Sequence, residues 1–353
     1  MWKRSTSLSN EELDCLLHKI DMKAPASHID RVLRSNLKLK HLQLLVALDQ
    51  FRHLGRASEF LSLTQPAVSK TLAEVEKMFG VALFLRSTRG TEPTAYGQTV
   101  VRFARSVLAD FDRTREEIAA VSSGAAGRVR VGAMVVATPV LLAQAIERIK
   151  AQSPQTTVLV EEGDLTKLLP QLRLGELDVF VGRLEPGYAA PDLETEPLYE
   201  EPMRIVCGPD HPLARRRRVT WGELSSRPWV MPPPWASSRV KLHQLFYKYQ
   251  FNPPADVIET ASFLVTLTCL RERGAIGFWA RSVAEHYRTQ GLVRILPVDV
   301  PIDLPPVGLI MLRGRLRTPA AEQFISCLRE VNADRRLSSR AKVDQGSSVD
   351  GDG

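Results

Sequence analysis

Cysteine is scarce in this chain. Its four copies, Cys15, Cys207, Cys269 and Cys327, nowhere show the Cys-x-x-Cys spacing of a zinc site or redox pair. A disulfide framework and a thiolate metal cluster are excluded, and the thiols read as reduced groups of a cytoplasmic protein. The seven histidines supply no pair at metal-ligand spacing. Also missing are a Gly-x-Ser-x-Gly elbow, a phosphate-cradling loop and a dinucleotide fingerprint. No enzymatic activity, metal or cofactor is therefore expected. No apolar run reaches transmembrane length and no apolar stretch of the signal-peptide kind follows the basic start, so no membrane association is expected. What is present is a basic balance, 47 Lys and Arg against 40 Asp and Glu for a net charge of +7, which suits a polyanionic partner without requiring one. At 353 residues there is room for two or three domains.

The most informative stretch runs from Leu39 to Thr94. Two short apolar-patterned segments, Leu54–Leu61 and Gln65–Phe79, flank a polar break too short for a wandering loop, the sequence form of a helix-turn-helix. Thr64 is placed to cap the second helix and Pro66 sits where no N–H is needed. Val68, Leu72, Val75 and Phe79 recur at helical spacing as its buried stripe, which leaves Pro66, Ser69, Lys70, Ala73 and Lys77 outward. A helix enters a DNA major groove only if that outward face is slim and aims no carboxylate at phosphate, and this face qualifies.

Leu39-Lys40-His41-Leu42-Gln43-Leu44-Leu45, Arg56-Ala57-Ser58, Gln65-Pro66-Ala67-Val68-Ser69-Lys70, Phe79-Gly80-Val81-x-Leu83-Phe84-x-Arg86 and Thr91-x-Pro93-Thr94-x-x-Gly97 together resemble the N-terminal domain of LysR-type transcriptional regulators. The resemblance implies a winged helix-turn-helix that contacts double-stranded DNA through Thr64, Gln65, Pro66, Ser69, Lys70 and Thr71, with Arg86, Thr88 and Arg89 on the wing. Ala57-Ser58 and His53-Leu54 depart mildly from the family's usual residues, at positions that do not point at DNA.

From Ala95 the chain reads as one long helix. Gly97, Val101, Ala104, Leu108, Phe111, Arg115 and Ile118 form a heptad seam that asks for a partner helix, most simply a second copy of the chain. The resemblance implies a homodimer through this linker helix and a homotetramer of such dimers. After the small-residue stretch Ser122–Gly127, strands and helices alternate: Arg128–Ala133, Pro139–Lys150, Thr157–Glu162, Leu165–Leu174 and Asp178–Gly182. This is an α/β unit with a mostly parallel sheet. Gly175–Gly182 and the segment Arg204–Leu213 are similar to the family's effector-binding domain.

The fold class is thus α/β: an N-terminal winged helix-turn-helix plus long linker helix, followed by a two-lobed α/β type 2 periplasmic-binding-protein-like effector domain. The expected organisation is an extension over 1–36, the DNA-binding domain over 37–94, the dimerisation helix over 95–123 and the effector domain over 127–332. Lobe one comprises 127–203 and 305–332, lobe two 204–304, and 333–353 is a disordered tail. Within the extension, Ser9-Asn10-Glu11-Glu12 looks like a capping box opening a short helix, although the segment as a whole reads as poorly ordered.

Ligands of such folds bind between lobes, where strand ends meet helix N-termini. Thr138, Asp164, Ser237, Ser238, Arg239, Ser262 and Phe263 are the candidate effector contacts, with Arg183 and Trp235 at the rim. Thr138 and Ser262 also suit plain helix capping, and Phe263 and Trp235 plain packing. Asp164 suits hydroxyls, whereas Arg183 or Arg239 suits an acid. Leu54–Ala57 and Arg86–Thr94 look most like the branch of the family containing the galactose-binding-protein regulator, which points to a sugar or sugar acid as the small-molecule effector. The run Arg215–Arg218 reads as a solvated basic turn. A solute-binding transport protein would share the lobes but not residues 1–127, and an enzyme would need a catalytic constellation the sequence lacks.

Overall fold

The computed structural model describes residues 26–87, 90–123 and 127–347. The expected capping-box helix at Ser9 lies outside the described residues, as do Thr88 and Arg89. The chain divides into one compact unit up to Arg115 and another from Glu116.

In the first unit α1 (Ala26–Arg31) and a wider turn, Val32–Asn36, precede α2 (Leu39–Phe51), α3 (Leu54–Phe60) and α4 (Gln65–Phe79). Two short antiparallel strands follow, β1 (Phe84–Ser87) and β2 (Gly90–Pro93), and then α5 (Ala95–Ser123), which continues past Arg115. His53 starts α3 by accepting from the N–H groups of Gly55 and Arg56, and Thr64 starts α4 by accepting from Ala67 N–H. Gly80 ends α4 in the left-handed region, φ 70°. Leu45, Leu48, Ala57, Val68, Leu72 and Val75 are fully buried in one core, at a gain of roughly 1.5–3 kcal/mol for each large side chain. Gly97 is dictated by packing, because a Cβ there would fall 1.9 Å from the carbonyl oxygen of Leu83.

Two expectations change here. Residues 26–36 are ordered against the helix-turn-helix: Val32 is buried in its core and His28 Nε2 lies 2.7 Å from Met78 O. The seam of α5 is partly buried by its own chain, since Val101 and Ala104 join the same core once Gly97 lets the helix close on Leu83. Phe103, Phe111 and Ile118 stay exposed.

The second unit holds two five-stranded sheets. Lobe one has the order β4-β3-β5-β12-β6, from β3 (Arg128–Ala133), β4 (Thr157–Glu162), β5 (Val179–Arg183), β6 (Leu193–Tyr199) and β12 (Val307–Leu312). β3 is parallel to β4 and β5, and β12 runs antiparallel between β5 and β6. Helix α6 (Ala143–Gln152) and α12 (Pro319–Ser347) cover one face and α7 (Leu165–Leu174) the other, each contributing buried leucine, isoleucine or phenylalanine. Lobe two has the order β11-β7-β10-β8-β9, with β7 at Met203–Cys207, β8 at Trp229–Met231, β9 at Val257–Glu259, β10 at Ile276–Ala280 and β11 at Arg294–Ile295. Its helices are α8 (Trp221–Ser225), α9 (Ser237–Lys248), α10 (Phe263–Glu272) and α11 (Arg281–Thr289). The chain crosses between lobes twice, at Glu200–Pro202 and again just before Val307.

A disordered tail was expected from residue 333, yet α12 runs to Ser347. Side chains around and past Val331 tie it down: Arg148 reaches Glu330 and Asp334, Asn332 donates to Leu198 O, and the Arg335 guanidinium stands 4.3 Å above the Tyr199 ring.

Candidate functional site

Two places concentrate the expected functional residues. The first is the opening of α4. Thr64, Gln65, Pro66 and Lys70 are exposed there, and Ser69 and Thr71 are half-buried. Arg86 donates to Ser69 Oγ at 3.0 Å, so β1 and the outward face of α4 form one surface. Glu76 holds that strand in place. One of its carboxylate oxygens accepts from both Leu83 N–H, 2.8 Å, and Phe84 N–H, 3.0 Å, which fixes the start of β1 on α4. The first two turns of α4 carry no carboxylate, although exposed Glu74 borders the outward face further along.

The second place is a cavity of about 360 Å³ between the lobes of the second unit. Lobe one contributes Met134, Glu162, Asp164, Arg183, Glu185 and Tyr188; lobe two contributes Met231, Trp235, Ser237, Ser238, Thr260, Phe263 and Trp279. Phe263 packs against Trp279 and Tyr287, with ring centroids 4.9 and 4.8 Å away. Hydrogen bonds cross the cavity from lobe to lobe. Trp235 Nε1–H donates to Asp164 at 3.3 Å and the Ser237 hydroxyl donates to Glu185 at 2.6 Å. Asp164 also caps α7 by accepting from Lys167 N–H at 3.2 Å, and it accepts from the Thr166 hydroxyl. Burial pushes its carboxyl up, but the hydrogen bonds from Thr166, Lys167 and Trp235 outweigh that and hold it below the ordinary aspartate value.

Comparison with known proteins now decides the family. The pattern described as "LysR substrate binding domain" matches residues 122–333, and "Bacterial regulatory helix-turn-helix protein, lysR family" matches residues 39–98. The chain belongs to the LysR family. It is 31% identical over 317 residues to the HTH-type transcriptional regulator GbpR of Azospirillum brasilense, covering 90% of this chain and 92% of that one. It is 30% identical over 292 residues to the HTH-type transcriptional regulator GalR of Pseudomonas putida, covering 83% and 73%. The fold matches that of full-length CbnR complexed with its target DNA, with a TM-score of 0.63 at 18% identity over 84% of this chain and all of that one. It also matches a cysteine-to-aspartate variant of full-length OxyR from Pseudomonas aeruginosa, with a TM-score of 0.57 at 23% identity over 84% and 94%. As a LysR-family member the protein is a DNA-binding transcriptional regulator with an effector-binding domain, and not an enzyme. None of its described helices is long and apolar enough to cross a membrane.

Within this LysR effector domain the cavity gathers only some of the expected contacts. Asp164, Ser237, Ser238, Phe263 and Trp235 line it. Thr138 does not, because its hydroxyl donates back to Met134 O at 3.2 Å within its own turn. Ser262 is the cap of α10, accepting from Val265 N–H, and is absent from the lining. Arg239 is turned away from the cleft: it donates to Glu259 at 2.8 Å and to His243 Nε2 at 2.7 Å, whose pKa is lowered by burial and by this guanidinium. Arg183 does line the cavity, but buried at its floor rather than at the rim. It donates to Glu201 O at 2.7 Å and Pro305 O at 2.8 Å, one carbonyl from each crossing, and contacts Met203 Sδ at 3.4 Å. Burial lowers its pKa, with Glu201 and Glu185 opposing. Glu162, Glu185, Tyr188 and Trp279 were not anticipated. Nothing local distinguishes them, since each faces the cleft only because distant strands align.

Proposed function

We propose that this regulator grips operator DNA with Thr64, Gln65, Pro66, Ser69, Lys70 and Thr71 of α4 and with Arg86, Thr88 and Arg89 of the wing. It acts in the cytoplasm as a homodimer joined along α5, and as a homotetramer of such dimers. A small-molecule effector, a sugar or sugar acid, occupies the interlobe cavity against Asp164, Ser237, Ser238 and Phe263, together with Glu185, Trp235 and Trp279. The observation that carries the effector reading is a cavity of about 360 Å³ with both lobes bonded across it, so that a ligand stabilises one lobe arrangement over another. The DNA reading is supported by the Ser69–Arg86 hydrogen bond, which presents helix and wing together. Exposed Phe103 and Phe111 on α5 support the paired helix.

The double variant Ser69→Asp with Lys70→Glu is expected to abolish operator binding in a gel-shift while leaving the effector-induced rise in melting temperature intact. Unchanged binding would overturn the assignment of the reading face. Phe111→Glu is expected to move the sedimentation profile toward monomer, and an unmoved profile would remove α5 as the dimer seam.

A further inference from the structure

The cleft has a definite charge character. Its charged lining groups are the carboxylates Glu162, Asp164 and Glu185 and the guanidinium Arg183. Arg183 is committed to backbone carbonyls at the two crossings, and Arg239 to Glu259 outside the lining. An acidic ligand would otherwise be drawn to the helix N-termini that open on the cavity. At α7 and α9 the chain already supplies the anion, and at α10 the neutral Ser262 hydroxyl takes the Val265 N–H. Asp164 caps α7, and Glu185 accepts from Ser237 in the first turn of α9. What remains for a ligand is carboxylate oxygens, short hydroxyls and the aromatic side chains of Trp235, Phe263 and Trp279. The donors now held by Asp164 and Glu185 across the cleft are an indole N–H and a hydroxyl, both uncharged, and ligand hydroxyls replace them like for like.

We infer that the cleft selects an uncharged, polyhydroxylated ring compound over its acid analogue, with Asp164 and Glu185 as the specificity-determining residues. This rests on reading the cavity as the effector site. The test is calorimetric titration of the full-length protein with matched sets of hexose, hexuronate and 2-amino-hexose in the glucose and galactose series. At least one neutral hexose is expected to bind ten times more tightly than its uronate and no more weakly than its amine. The double variant Asp164→Asn with Glu185→Gln is expected to shrink the neutral-to-acid ratio toward one. A uronate or an amine that binds more tightly than every neutral hexose, a set in which no neutral hexose binds, or an unchanged ratio in the double variant overturns the inference. Trp235→Ala at the exposed mouth separates the two readings. A uronate whose binding weakens in this variant leaves the cleft as the effector site and removes the charge selection. A ligand whose binding ignores both Trp235→Ala and Phe263→Ala removes the cleft itself.

Discussion

Helix α4 and two of the helices that open on the cleft, α7 and α9, begin in opposite electrostatic styles. Thr64 caps α4 with a neutral hydroxyl and no carboxylate stands in the first two turns, so the positive end of the helix faces outward unanswered. At α7 and α9 the same positive ends meet Asp164 and Glu185. A helix N-terminus favours nearby negative charge in either setting. An open end suits a polyanion, and one filled from within suits groups that donate hydrogen bonds without carrying charge. One backbone device thus acquires two uses according to whether the chain supplies the anion itself.

Exchanging the two cap styles puts this contrast under the greatest strain. Thr64→Asp keeps a capping oxygen and adds a negative charge, so the melting temperature should hold or rise while operator affinity falls by about 1–3 kcal/mol in a salt-controlled titration. A fall in both together would mean that the cap, and not the charge, matters. Next in size is Glu76→Ala, which strands the N–H groups of Leu83 and Phe84. A loss of about 1–3 kcal/mol in chemical denaturation is expected, along with weaker operator binding because Arg86 is no longer held beside Ser69. Thr64→Ala removes the cap without adding charge and should cost about 1 kcal/mol of stability. The smallest effect concerns pH. The Asp164 carboxyl is held below its ordinary value, so its contribution to stability is present above that value and is lost as pH falls through the lower, folded one. Melting temperatures of the wild type should therefore drop more steeply below about pH 4 than those of Asp164→Asn. Parallel curves would show that the hydrogen bonds to Asp164 do not stabilise its charged form.

The same contrast explains what could be read from the sequence. Thr64, Pro66 and the stripe Val68, Leu72, Val75 and Phe79 lie within a short contiguous span, and their roles are set by helical spacing alone. Strands β3, β4 and β5 of lobe one were visible for a similar reason, as local apolar runs. The cleft was only half legible. Asp164 and Ser237 stand at recognisable strand-to-helix joins, but so do Thr138 and Ser262, and a short polar side chain there is as readily consumed by its own turn as offered to a ligand. Arg239 on α9 looked available until Glu259 at the end of β9 took it. Glu185, Tyr188 and Trp279 reach the cavity only through the packing of segments far apart in the chain. The ordered helix before Leu39 and the continuation of α12 beyond Val331 were missed because their anchors, Met78, Arg148 and Tyr199, also lie elsewhere in the chain.

Arg183 joins the two strands of the hinge through a single side chain. Because one guanidinium bonds a carbonyl on each connection, neither can twist far without loosening its hold on the other. The pair therefore turns as one axle, and an opening motion confined to a single connection would have to break a charged hydrogen bond in a buried setting.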